Sequence, residues 1–325
     1  MTSAAFDVLG IGNAIVDVLS RADDAFLSKH GLVKGSMMLI DEQRAETLYA
    51  AMGPGIEVSG GSCGNTMAGV ASFGGKGAYI GKVRNDQLGQ VFGHDLKSMG
   101  VSFDTTSATS GPSTARCLIM VTPDAQRTMN TYLGACTGLG PNDIDTGVVS
   151  AAQVTYVEGY LWDAPEAKKA VLKAFDTAHA AGRLVSITLS DSFCVGRYRD
   201  EFRALIRDKV DILFGNESEI TSLYEVDSFE KALEAARKEA KIAALTRSEK
   251  GSVVIKGSKT HVVPAAPVSK IVDTTGAGDL YAAGFLFGFT RGKPLAECAR
   301  LGGIAAAEII SHVGARPETA LKDLI

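Results

Sequence analysis

The chain has 325 residues, 46% hydrophobic and 22% charged, with a formal net charge of −4. That length suits one large domain with a substantial core, the composition excludes disordered and fibrous classes, and the weak negative charge offers nucleic acid no electrostatic footprint. No apolar run reaches the roughly 18 residues of a membrane span, and Asp7 and Asp17 stand where a signal peptide needs a cationic start and a clean apolar core, so a cytoplasmic protein without a membrane partner is expected.

In chain order, β-type runs alternate with helical ones, the pattern of a mainly parallel sheet covered by helices. Residues 6–12 (FDVLGIG) read as the first strand. The stretch from about 14 to 59 has no clear strand–helix unit, although 35–41 (GSMMLID) supplies a further strand. Alternation resumes with a strand at 76–83 and a helix at 86–100 closed by Gly100. Residues 114–121 and 127–133 flank TPDAQ, whose Pro123-Asp124 pair suits a tight turn, and so read as an antiparallel hairpin. A strand at 153–160, a helix at 164–182 and strands at 183–190 and 210–216 follow. No repeat or linker divides the chain. The expectation is a single α/β domain over 1–325, with pieces at about 14–59 and 110–137 forming a small β lid inserted into one core.

Several chemistries are excluded by what the sequence lacks. GIGNAIVD (10–17) begins like a dinucleotide fingerprint, but Ile15 stands in place of the third glycine. No G-x-x-x-x-G-K-[ST] string occurs, and protein-kinase signatures are missing. Cys63, Cys117, Cys136, Cys194 and Cys298 are widely spaced with no C-x-x-C pair, which predicts reduced, structural thiols, and the histidines lack the spacing of a zinc site.

The informative string is DTTGAGDLYAAGFLFGF (273–289). Leu280, Phe285, Leu286 and Phe289, with small residues between them, suit a helix packed on most sides, beginning inside the motif. Such a helix leaves its first amides without intrahelical partners at the positive end of its dipole, and glycine lets that backbone approach an anion closely. Asp279 would repel the same anion unless it takes a proton from a nucleophile attacking it. The bland alternative is an ordinary helix N-terminus with an acid in its first turn.

DTTGAGD, GGSCGNTMAGVASFGG (60–75) and NESE (216–219), in this order and spacing, resemble the ribokinase-like carbohydrate and nucleoside kinases across roughly 6–317. The resemblance implies a three-layer α/β/α core with a mainly parallel sheet and a small β lid, and transfer of the ATP γ-phosphoryl group to a substrate hydroxyl. It makes Asp279 the general base and the amides of Gly276, Ala277 and Gly278 an anion hole. Asn216 and Glu219 would organise Mg²⁺ and phosphates, Glu219 through water, as suits a hard cation. The same pair also reads as an Asn N-cap with Glu at N3, a capping-box variant. Thr246 and Gly251 fall in the family's ATP segment, although Ser248 replaces a common glycine.

For the acceptor, the resemblance makes Asp17 a binder of vicinal hydroxyls, Gly60 and Gly61 the lid hinge and Asn65 a sugar contact. Ser62 after the glycine pair, where ribose kinases carry lysine, points to the adenosine kinases within the family, as do GNAIVD, with Asn13 facing the base, and RTMNTYLGA (127–135). Arg127 is expected over the phosphates, with Arg116 a weaker candidate. Tyr160 or Trp162 would stack on the base, against the alternative of plain core packing. The implied activity is phosphorylation of the 5′-hydroxyl of a purine nucleoside, adenosine to AMP, with ATP and Mg²⁺ as cofactors, in a monomer or homodimer. A kinase for a free sugar, inosine or guanosine, or an inactive ligand-binding homologue, are the alternatives.

Overall fold

The computed structural model describes residues 4–124 and 126–325. In chain order its strands are β1 (Phe6–Ile11), β2 (Ile15–Arg21), β3 (Met37–Leu39), β4 (Gly55–Ser59), β5 (Gly77–Ile80), β6 (Ser102–Phe103), β7 (Ala115–Val121), β8 (Arg127–Tyr132), β9 (Ala152–Glu158), β10 (Leu184–Thr188), β11 (Ile212–Asn216), β12 (Ile242–Thr246), β13 (Ser252–Lys256) and β14 (Lys259–Val263). Its helices are α1 (Asp24–Lys29), α2 (Glu42–Ala51), α3 (Ser62–Ser72), α4 (Gln87–Ser98), α5 (Thr146–Ala151), α6 (Pro165–Ala180), α7 (Ser192–Asp208), α8 (Glu217–Tyr224), α9 (Phe229–Glu239), α10 (Ala277–Thr290) and α11 (Leu295–Ile309).

Among the described residues, nine strands form one sheet in the order β14-β13-β12-β11-β10-β9-β1-β5-β6, parallel from β12 to β6 with two antiparallel strands at one edge. Alternate side chains on these strands feed two cores. Val8, Tyr156, Phe214 and Ala244 face the layer of α3, α10 and α11, while Leu9, Val157, Leu213 and Leu245 face that of α6, α7 and α8. The fold is three-layer α/β/α, as expected.

A second sheet of five strands, β3-β8-β7-β2-β4, draws on the two expected segments. β7 and β8 pair as the expected hairpin, with Ala125 of its turn outside the described residues. The sequence reading overlooked β2, whose Val16, Val18 and Ser20 are buried while Ile15, Asp17 and Leu19 are half-buried. That is the period-two signal of a one-sided strand. It also overlooked α1 and α2, which start at Asp23 and Asp41; each carboxylate accepts the N3 amide at 2.7 Å. The strand expected at 76–83 covers only Gly77–Ile80, and Gly81 just beyond it passes so close to the Gly12 carbonyl that a Cβ would lie 2.8 Å from it.

Candidate active site

The candidate residues gather at the carboxyl edge of the larger sheet. Strands β9 to β12 run outward in one direction from β1 and strands β5 and β6 in the other, so the order reverses between β1 and β9. A crevice outside the carboxyl ends at such a reversal is where open α/β sheets bind ligands. Asn13 follows β1 there, Glu158 ends β9, Asn216 ends β11 and Thr246 ends β12.

Helix α10 starts over this edge. Gly276 caps it at φ +80°, a left-handed conformation that glycine tolerates, and a Cβ there would lie 3.0 Å from the Ala315 methyl. The Ala277 amide donates to the Thr274 carbonyl at 3.2 Å, so one of the three expected anion-hole donors is engaged. The amides of Gly276, Gly278 and Asp279 have no hydrogen-bond acceptor among the described residues, and nothing lies within 4 Å of where a Cβ on Gly278 would project. The helix thus begins with amide donors that have no acceptor among the described residues and with room beside Gly278, which fits an anion.

Asp279 is clamped beside those amides. One carboxylate oxygen accepts Ser62 Oγ at 2.6 Å and the other accepts Asn65 Nδ2 at 2.9 Å, while its backbone carbonyl accepts Thr66 Oγ1 at 3.1 Å. Positions 62, 65 and 66 share one face of α3, so a single helical stripe holds the acid. Burial pushes the Asp279 carboxyl above the usual range, opposed by these two side-chain bonds and by the Arg316 charge.

Asp17 sits on β2 of the smaller sheet. Burial pushes it up to about 6, against the charges of Arg316 and Arg127 and with the help of Asp279. Gly60 lies against it: a Cβ there would come within 2.4 Å of the Asp17 carboxylate. Gly61 caps α3 at φ +79°, where a Cβ would meet the Asn13 carbonyl at 2.5 Å. Both glycines are needed for these close approaches.

Two residues that the sequence reading did not single out complete this part of the site. Glu158, fully buried, accepts the backbone amides of Asn13 and Cys63, each at 2.9 Å, and so ties the end of β1 to the start of α3. Burial pushes its carboxyl up to about 7, with those two bonds opposing. Arg316 donates to Asn65 Oδ1 at 2.7 Å. Glu158 carried a weak signal, an acid ending an otherwise apolar strand; Arg316, in a loop near the carboxyl end, carried none.

On the other side of α10, Asn216 and Glu219 form the expected capping box: Asn216 Oδ1 accepts the Glu219 amide at 2.9 Å, and the Glu219 oxygens accept the Asn216 amide at 3.0 Å and Nδ2 at 2.6 Å. Glu219 is buried and pushed up to about 7 by that burial. Each carboxylate oxygen keeps a second lone pair, which fits a water of a hydrated Mg²⁺ better than direct ligation. No cluster of three acidic, histidine or cysteine ligands exists among the described residues. Thr246 pairs in register with Asn216, and the two line a cavity of about 530 Å³ with Glu217, Thr221 and Ser248. Ser248 holds the left-handed conformation, φ +51°, at the position where the family has glycine. Gly251, at φ +82°, passes so near the Val263 carbonyl that a Cβ would lie 2.1 Å from it.

The remaining candidates fall differently. Arg127 is paired with Asp273, the first residue of the DTTGAGD string, at 2.5 Å, both side chains nearly dry. Arg116 lies over the rings of Tyr49 and Tyr132. Tyr160 is half-buried, its hydroxyl 3.5 Å from the Ser190 carbonyl. Of the two readings of Trp162, core packing holds: it is 3% exposed, packs on Phe202 and donates its indole N–H to Glu201.

Residues 36–321 match the sequence pattern of the pfkB family carbohydrate kinases. The chain belongs to that family. A solved adenosine kinase from Sinorhizobium meliloti is 54% identical, with a TM-score of 0.92 and 99% of this chain and 98% of that one covered. A probable sugar kinase from Rhizobium etli CFN 42 is 53% identical at the same TM-score and coverage. An adenosine kinase from Saccharomyces cerevisiae is 26% identical over 94% of each chain. This pfkB kinase is a phosphotransferase acting on a hydroxyl group of a small molecule, and the family implies ATP as donor. Among the described residues no helix is long and apolar enough to cross a membrane.

Proposed function

We propose that the chain phosphorylates the 5′-hydroxyl of a purine nucleoside, converting adenosine to AMP. The observation that carries this reading is the placement of one carboxylate, Asp279, held by Ser62 and Asn65 beside the open amides of Gly276 and Gly278. In the proposed reaction the acceptor oxygen attacks the γ-phosphorus, the bond to the β-phosphate bridging oxygen breaks and ADP leaves. The hydroxyl proton passes to Asp279. The transition state is loose, so alignment and charge stabilisation matter more than a strong base, and the hydroxyl gives up its proton late.

Asp17 would accept hydrogen bonds from the ribose diol, with Asn65 and Asn13 nearby, although the Asn13 side chain also bonds Glu158. Mg²⁺, held through water by Glu219 and Asn216, would neutralise phosphate charge. Thr246 and Gly251 border the nucleotide. A nucleoside is favoured over a free sugar by the 54% identity to an adenosine kinase and by a cavity of about 250 Å³ with an apolar wall from Leu39, Ile40, Pro112 and Leu133, of the kind a flat base needs. The five-stranded sheet would act as the lid that excludes water from the transfer.

A panel of adenosine, inosine, guanosine, ribose and fructose, followed by ADP release, tests the assignment. Adenosine is expected to give the highest kcat/KM. Turnover of a free sugar with none of adenosine would overturn it in favour of a sugar kinase.

A further inference from the structure

Arg316, like Glu158, belongs to this site but stands in no motif. Its guanidinium makes three hydrogen bonds on two different elements: Nη1 donates to Asn65 Oδ1 of α3 at 2.7 Å, and Nη2 donates to the carbonyl of Ser59 at 2.5 Å and to its hydroxyl at 2.9 Å. The remaining nitrogen, Nε, is sealed from solvent with no hydrogen-bond partner among the described residues. We propose that Arg316 is a positioning residue for phosphoryl transfer, fixing Asn65 so that it presents its N–H to Asp279 and pinning the hinge at Gly60. The proposal rests on the reading of Asp279 as the base.

The first step is one of hydrogen-bond polarity. A guanidinium only donates and a carboxylate only accepts. Asn65 stands between the two, so its carbonyl oxygen must face Arg316 and its amide nitrogen must face Asp279, as observed. Without the guanidinium only Asp279 still selects this orientation, and the oxygen end of the Asn65 amide loses the donor that holds it in place. The second step is mechanical. Ser59 ends β4 and immediately precedes Gly60, which presses on the Asp17 carboxylate. The same guanidinium therefore sets the hinge against α3, with the Ser59 amide held by Asp95 at 2.7 Å.

The third step is electrostatic. Asp17, Asp95, Asp279 and Tyr79 face Arg316. Asp17 is faced by Arg316, Arg127, Asp279 and Cys117, and Asp279 by Arg316 together with Glu158, Glu219, Asp17, Cys63, Tyr156 and Tyr160. Burial disfavours charge on both acids, and Arg316 is the cation that acts on each. Removing that cation leaves both buried acids with less reason to ionise.

The test compares Arg316→Met, Arg316→Lys and Asp279→Asn with the wild-type enzyme, using whichever acceptor the panel shows is turned over. For Arg316→Met, kcat is expected to fall about 100-fold, the scale of a misplaced reacting group, and the acid limb of kcat/KM to move up by about one pH unit. Arg316→Lys keeps the charge and loses the fork, so its acid limb should stay with the wild type while kcat falls. A lowered Tm with an unmoved acid limb in Arg316→Met would reduce Arg316 to a structural residue and overturn the proposal. Should that variant not fold, Arg316→Lys decides: wild-type kcat would refute the positioning role. Activity retained in Asp279→Asn would instead refute the reading of the base.

Discussion

Replacement of Asp279 by Asn separates chemistry from binding more cleanly than any other change in this site. The side chain accepts one hydrogen bond on each oxygen, from Ser62 Oγ at 2.6 Å and Asn65 Nδ2 at 2.9 Å. An asparagine of the same shape can keep its oxygen toward Asn65 and turn its amide toward Ser62, whose hydroxyl rotates to become the acceptor. Both contacts survive. Burial already favours the uncharged form of Asp279, so the neutral side chain should not destabilise the fold.

What disappears is the proton acceptor. General-base catalysis contributes about 10²–10⁴ in rate, or about 3–5 kcal/mol of barrier. The expected result is a kcat lower by that factor in an ADP-coupled assay, with acceptor affinity by calorimetry within about threefold of wild type and an unchanged Tm. A kcat within about tenfold of wild type would remove Asp279 from the role of base, whatever the acceptor proves to be.

Gly60→Ala places a methyl 2.4 Å from the Asp17 carboxylate, so the acid must move; acceptor KM should rise about 10- to 100-fold with a smaller change in kcat, and an unchanged KM would argue that Asp17 does not touch the acceptor. Asp17→Asn bears on stability through pH. The folded-state pKa is raised from 3.8 to about 6, so the stabilisation from the bound proton is full below 3.8 and lost as pH rises through 6. The permanently neutral variant should therefore gain Tm relative to wild type between pH 5 and 7.5, and a pH-independent difference in thermal scans would contradict the burial argument. Gly251→Ala puts a Cβ 2.1 Å from the Val263 carbonyl at a left-handed φ and should cost about 2–3 kcal/mol in denaturant unfolding; a neutral outcome would mean that this turn is free to rearrange.

The fold was legible where each element carries its own signal. Apolar strands bounded by turn residues, and α10 with Leu280, Phe285 and Leu286 emerging from a glycine string, announce themselves locally. Strand β2 carries a weaker local signal: Val16, Val18 and Ser20 alternate with half-buried Ile15, Asp17 and Leu19, so apolar Ile15 and Leu19 on one face and polar Ser20 on the other blur the period. Residues of the site were legible when they stood inside a motif, as Ser62, Asn65 and Asp279 do. Glu158 and Arg316 were not, since their roles come from contacts 95 and 251 residues away along the chain, to Cys63 and Asn65. Trp162 fits the core-packing alternative, since it packs on Phe202 and bonds Glu201.

The two halves of the site lie on different sheets. Asp17 belongs to β2 of the smaller sheet, and Asp279 to α10, which covers the larger one. An acceptor gripped by Asp17 meets the base only if the two sheets are held in register. Two guanidiniums provide that link, each joining the smaller sheet to the core: Arg316 reaches from the carboxyl-terminal loop to Ser59 and Asn65, and Arg127 on β8 reaches Asp273. Apolar packing alone is non-directional and would tolerate sliding. The nearly dry Arg127–Asp273 pair does not, because a small displacement leaves a buried ion without its partner, and the hydrogen bonds of Arg316 are directional too. In the proposed reaction the register of acceptor and base would therefore be fixed by directional contacts, across a junction where the backbone at 60 and 61 comes too close to Asp17 and Asn13 for any side chain.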